Sequence, residues 1–178
     1  MKAILPVACA FLAALAAAPI SAHAADSLYD AKEWGRTFRR AGIAFNYSET
    51  CADRTLSGMY SRKKRQIFLC LNNIRTESQL KETLAHEAMH AAQHCLGMRE
   101  RMDQLVSVHT ALAGKNPETA NEWLSLIHER TQSKASGIAY SAQQHNYSVV
   151  LEKEAYYMED YPEEALEWVK LACLGEGK

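Results

Sequence analysis

At 178 residues, with 23% charged residues and a formal net charge of −1, the chain can bury one proper core, is too short for two comfortable domains, and offers no electrostatic argument for a nucleic-acid partner. Lys2, the apolar run over residues 3–20 and the A-x-A pattern Ala22-His23-Ala24 read as a signal peptide over residues 1–24. The apolar run is short for a membrane span, so residues 25–178 are expected to form a single exported domain, periplasmic or secreted and not membrane-spanning.

Residues 28–40 place Leu28, Tyr29, Ala31, Trp34 and Phe38 among charges, the pattern of an amphipathic helix that ends at Gly42. Residues 43–47 are β-prone. Residues 56–61 and 66–71 read as strands joined by Arg62-Lys63-Lys64-Arg65, a hairpin with a basic tip. That tip reads first as a solvated turn that discourages edge-to-edge pairing; its functional reading is an acidic partner. Thr76 with Gln79 forms a capping-box pattern, and Leu80, Leu84, Ala88, Ala91, Ala92 and Cys95 carry the helical period to Gly97, its expected stop. A further helix is expected over residues 99–113, then one from Asn116-Pro117 to about Lys134, with Gly137 as a break. Ser141 and Gln144 repeat the capping pattern and predict a helix to about Glu159; Pro162 opens the last, which Gly175 ends. The expected class is α+β and mostly helical: a small antiparallel sheet with a hairpin, packed on the helix over residues 76–97, followed by a helical C-terminal half.

Of five cysteines, Cys9 lies within the signal, and the even remainder favours disulfides in an exported chain. The preferred pairing is Cys51 with Cys70, which bracket the hairpin, and Cys95 with Cys173, which would tie the last helix to the helix over residues 76–97. Two other connectivities and free buried thiols stand as alternatives. No C-x-x-C spacing occurs, so a site of four thiolates is not expected.

His86-Glu87-Ala88-Met89-His90 reads H-E-x-x-H in mid-helix. Residues four apart share a helix face, so the imidazoles of His86 and His90 can converge on one zinc ion while Glu87, displaced around the helix, reaches a water in an open position as general base. His94 extends the row, but it lies about 12 Å along the axis from His86 and cannot share the ion; it reads as a polar neighbour. The bland alternative is a decorated helix face in a protein that binds no metal. His109, His128 and His145 have no spacing argument as ligands.

The motif resembles that of the zincin metallopeptidases. The metzincin extension would need Gly and His where Gln93 and Leu96 stand, so the resemblance is to the gluzincin, thermolysin-like branch, whose third ligand is a glutamate often followed by Ala or Gly. Glu154-Ala155 fits that pattern, and stepping at 100° per residue puts Glu154 with Tyr147, Val150, Leu151 and Met158 on an apolar stripe, where a carboxylate is costly unless paired or metal-bound. Glu152 and Glu159 fall off the stripe and read as solvated charges. The resemblance implies a minimal zincin: zinc on His86, His90 and Glu154, Glu87 as base, a peptide or protein substrate paired with a strand of the hairpin, and Tyr147, Tyr156, Tyr157 or His145 as candidates to stabilise the oxyanion. The competing reading is an inactive zincin-like exported domain that acts as a binding or inhibitory module; the base at Glu87 argues against it.

Overall fold

The computed structural model describes residues 33–100 and 102–176. The signal peptide expected over residues 1–24 and the first turn of the expected first helix lie outside these residues. Helix α1 (Glu33–Arg40) buries Trp34 and Phe38, whose rings meet edge to face at 5.6 Å, and Gly42 turns the chain at φ +66°. Strands β1 (Ala44–Ser48), β2 (Gly58–Ser61) and β3 (Gln66–Cys70) follow, in the spatial order β1-β3-β2.

The hairpin appears as expected, Gly58 opposite Leu69 and Ser61 opposite Gln66. The sheet, however, is mixed and not antiparallel throughout, because β1 runs parallel to β3, Ala44 beside Gln66 and Ser48 beside Cys70. A tight turn forces β2 and β3 to be antiparallel, whereas β1 reaches the other edge of β3 through a long connection that permits the parallel sense. Cys51 and Cys70 are joined, as preferred, and Asn72 braces that corner by accepting from the Cys51 amide at 3.0 Å and donating to its carbonyl at 3.2 Å.

Helix α2 (Glu77–Arg99) is the spine, packed against β2 and β3 on one side and the C-terminal helices on the other. Thr76 caps it, its hydroxyl accepting from the Gln79 amide at 3.1 Å, and the Gln79 side chain accepts from the Arg75 amide at 2.7 Å. Leu80, Leu84, Ala88, Ala91, Ala92 and Cys95 are all buried, as their spacing requires. Gly97 does not stop the helix. An added Cβ there would lie 1.9 Å from the carbonyl oxygen of Gln104, so this glycine serves the close return of the next loop along α2. The Met102 amide bonds the Gly97 carbonyl at 2.9 Å and the Val106 amide bonds that of Gln93 at 3.0 Å. The helix expected over residues 99–113 is therefore shortened to α3 (Val108–Ala113), capped by Ser107.

Helix α4 (Pro117–Arg130) has the expected Asn116 cap and Pro at its start, and a 3-10 turn follows (Gln132–Lys134). Gly137 lies inside α5 (Ala135–His145), where it faces the Tyr156 hydroxyl. The expected long helix from Ser141 to Glu159 is two helices. Asn146, left-handed at φ 53°, ends α5, and Ser148 caps α6 (Val149–Met158) by accepting from the Leu151 amide at 3.3 Å. Helix α7 (Pro162–Val169) packs along α2, a wide π turn (Lys170–Leu174) extends it, and Gly175 closes it at φ +75°. Cys173 in that turn is joined to Cys95 of α2, a link of the kind that contributes about 2–4 kcal/mol. No helix among the described residues is long and apolar enough to cross a membrane.

A Gly97→Ala variant should be destabilised by about 1–3 kcal/mol through overpacking against the Gln104 carbonyl, read as a lower urea midpoint; an unchanged midpoint would show that the loop does not depend on this contact.

Candidate metal centre

His86 and His90 stand one turn apart on α2 with ring centroids 4.9 Å apart. The Nε2 atoms of both face the carboxylate of Glu152 on α6, at 3.6 Å from Oε2 for His86 and 3.4 Å from Oε1 for His90. Glu152 is 0% exposed and neither of its oxygens has a hydrogen-bond partner. Burial would raise its pKa, but the charges of His86 and His90 outweigh that and hold it well below the usual carboxylate range. These three residues form a group that could hold a metal ion, the only such group among the described residues. One ligand atom from each lies within 4.8 Å of the others, near the roughly 3.3–3.6 Å at which donors 2.0–2.2 Å from a tetrahedral zinc ion stand from one another.

The far nitrogens of both imidazoles are held. His86 Nδ1 lies 2.9 Å from Glu159 Oε1, and Lys134 Nζ braces the other Glu159 oxygen at 3.1 Å. Burial works against a charged His86, but its contacts with Glu152 and Glu159 and the nearby charge of Glu87 prevail and push its pKa up to about 10. His90 Nδ1 lies 2.8 Å from Gln93 Oε1. The Gln93 amide cannot be flipped, because its Nε2 donates to the Leu151 carbonyl at 3.0 Å and to Glu154 Oε2 at 2.9 Å. His90 Nδ1–H is therefore the donor, and Nε2 is the nitrogen left to ligate.

Glu154, expected as the third ligand, is not brought to the histidines. It is 0% exposed and accepts from the amides of Val108 and His109 at the start of α3, from Trp123 Nε1 and from Gln93 Nε2, at 2.9–3.0 Å. Burial raises its pKa and those four donors oppose it. All its partners are donors, which favours the carboxylate. Glu154 points away from the histidines because α6 is buried on more than one side. Residues 152 and 154 lie about 200° apart around the helix, so one faces the histidines and the other the junction of α2, α3 and α4. A signal for Glu152 was present: Glu152, Tyr156 and Glu159 recur at i, i+4 and i+7, a polar stripe along the histidine side.

Glu87 is buried beside Gly58, where an added Cβ would come within 3.1 Å of Glu87 Oε1. Burial raises the pKa of Glu87, against the opposing charges of His86 and His90. A cleft of about 450 Å³ opens over His86 and Glu87 between the start of β2 and α5, where Tyr140 and His145 line it. Deeper in, Met59, His145 and Tyr147 close over His86, Glu87 and His90. Of the candidates for an oxyanion donor, Tyr147 and His145 line this chamber and Tyr156 lines the cleft, whereas Tyr157 is buried against Tyr161 and Trp123. His94 bonds the Tyr60 hydroxyl at 2.9 Å and faces Asp103 at 3.1 Å, the polar neighbour its position predicts. His128 contacts Lys153, and His109 meets Glu154 through its amide; neither joins the metal-ligating group.

No solved structure gives a significant match to this chain. Among curated proteins it is similar to the mouse (Mus musculus) mitochondrial inner membrane protease ATP23 homolog, with 34% identity over 61 residues, which is 32% of this chain and 30% of that protein. The chain thus spans under a third of the length of that relative, a weak and partial similarity to a protease; the His-His-Glu group is a feature of this chain's own fold. The family described as "Domain of unknown function (DUF8637)" matches residues 32–174, the whole of the described fold but its ends, and the chain belongs to that family.

Proposed function

We propose that this protein is an exported zinc metallopeptidase, with His86, His90 and Glu152 as ligands and Glu87 as general base. The observation that carries the reading is the carboxylate of Glu152, buried without a hydrogen-bond donor and facing two imidazole nitrogens at the spacing of a tetrahedral metal site. The donor set is the two histidines and a glutamate of the gluzincin resemblance, with the glutamate moved by two positions. Similarity to a protease supports peptide-bond hydrolysis, and two disulfides support an oxidising compartment.

Zinc bound there supplies a Lewis acid that makes water acidic near neutral pH and polarises a carbonyl. Glu87, with a pKa raised by burial, takes a proton from the attacking water and returns it to the leaving nitrogen. Tyr147 and His145 line the same chamber as the histidines and can donate to the oxygen that gains charge. The outer edge of β2, which carries no partner strand among the described residues, offers backbone groups to an extended substrate. Gly58 keeps that edge close to Glu87.

Zinc content of the folded protein should fall sharply in Glu152→Gln and stay at the wild-type level in Glu154→Gln, which should instead lose about 3–5 kcal/mol of stability because its buried donors lose a charged acceptor. The opposite pattern of metal loss would restore Glu154 as ligand. Glu87→Gln should retain zinc and lower peptide hydrolysis by about 10²–10⁴-fold; equal cleavage by both proteins would remove Glu87 as base.

Because the metal-free His86 holds its proton up to about pH 10, zinc must displace that proton, and affinity should rise about tenfold per pH unit between pH 6.5 and 8. The same shift sets the stability of the metal-free form. Its contribution from His86 is complete below the ordinary histidine pKa and is lost as pH rises through about 10, while that of Glu152 is present above the ordinary carboxylate range and lost in acid. Zinc titrations at several pH values check the first statement; a flat profile would contradict it.

A further inference from the structure

The hairpin tip carries a second site that neither the metal centre nor the fold requires. Strand β2 lies along α2, Gly58 against Thr83 and Glu87 and Tyr60 bonded to His94 two turns further on. This crossing therefore has two ends, each with its own depression. Near Gly58 the cleft is lined by the carboxylates of Asp53 and Glu82. Past Ser61 the same edge leads into a pocket of about 950 Å³ walled by Arg62, Lys63 and Arg65 of the tip and by Met98 and Met102, with His94 among its lining residues.

An ordinary solvated turn would leave its cations pointing apart into water. Here three line one depression, and no salt bridge joins any of them to a carboxylate among the described residues. Arg62 spends one N–H on the carbonyl of Asp103, at 3.0 Å. Arg65 is fixed by a bond to the Ala41 carbonyl at 2.8 Å and a contact with Met98 Sδ at 3.4 Å, while its buried Nε has no partner. Its backbone is left-handed at φ 47°, a conformation that an arginine adopts at a cost. Asp103 is the one carboxylate in the lining among the described residues, against three cations. Met98 and Met102 are 46% and 37% exposed, and their flexible thioethers give the pocket an adaptable apolar wall.

We infer that this pocket is a specificity subsite of the proposed peptidase, and that it takes acidic side chains of the substrate. The inference rests on the peptidase reading of the metal centre. Arg62 stands three residues along the chain from Met59, which lines the chamber over the histidines, and at about 3.3 Å per residue that is roughly 10 Å, or three residues of an extended substrate. An Asp or Glu about three residues from the scissile bond, on one side of it, would meet the arginines, with methionine against its stem or its neighbour.

The test uses full-length mature Glu87→Gln protein loaded with zinc and fluorescein-labelled decapeptides that carry a Glu-Glu pair at successive positions, each beside its Gln-Gln counterpart. Anisotropy should show about tenfold tighter binding of the acidic peptide at one register in low salt, most of it lost at 0.5 M NaCl. Charge reversal at two exposed positions, Arg62→Glu with Lys63→Glu, should abolish or invert the preference with zinc content unchanged. In the parallel arm, wild-type protein should cleave the acidic peptide with the lower KM. Equal binding of acidic and neutral peptides at every register, or a preference that survives the charge reversal, overturns the inference. Absence of hydrolysis by wild type with the binding preference intact removes the peptidase reading and leaves the acidic-ligand site standing.

Discussion

A carboxylate taken out of water without a hydrogen-bond donor costs several kcal/mol unless a cation faces it, and Glu152 sits in that position. The constraint reaches through the molecule. It requires α6 to be pressed against α2 at the level of His86 and His90, and it requires those imidazoles to present Nε2 inward. Without metal, a proton on His86 answers the charge, which is why the two pKa values move in opposite directions. A zinc ion would answer it more completely and from a fixed point.

The rest of the core is arranged so that this buried charge meets a prepared surface. Behind each imidazole stands a group that fixes its tautomer: Glu159, braced by Lys134, for His86, and Gln93 for His90. Gln93 is in turn held by Glu154, which also gathers the start of α3 and the indole of Trp123. Two glutamates two residues apart thus divide the work. One faces His86 and His90, and the other ties together the elements that keep the first in place. Such supporting contacts are what hold a metal geometry rigid enough to be useful.

On the open side the polarity of the cleft follows from how β2 crosses α2. The strand brings the edge of the sheet over Glu87 at one end and the basic tip beyond His94 at the other, so a chain lying along that edge would pass from acidic surroundings, over His86 and Glu87, to a cluster of cations. Electrostatic differences of this kind select partners more than they tighten binding. The absence of a side chain at Gly58 is part of the same arrangement, since a Cβ there would meet Thr83 and Glu87.

Much of this was legible in the residues themselves. The spacing of His86 and His90, the Thr76 cap, the hairpin with its four-residue basic tip, the pairing of Cys51 with Cys70 and of Cys95 with Cys173, and the Pro162 start of the last helix are local patterns or follow from adjacent elements, and each is present in the fold. What misled was also local in form. Gly97 and Gly137 read as helix breakers but lie within helices, Gly97 where a backbone carbonyl leaves no room for a Cβ and Gly137 in tight reach of the Tyr156 hydroxyl, and Asn146 with Ser148 ends one helix and begins another inside a pattern that read as continuous. The choice between Glu152 and Glu154 was not local at all. A hydrophobic stripe identifies one buried face of a helix, and α6 is enclosed on two; only the packing of α2 on one side and of α3 and α4 on the other decides which carboxylate meets the histidines. The sequence by itself determined that two histidines and a glutamate stand together on one helix in H-E-x-x-H spacing, because helical geometry follows from spacing. The tertiary structure decided which carboxylate faces those histidines, because that depends on which long-range neighbours surround a buried charge.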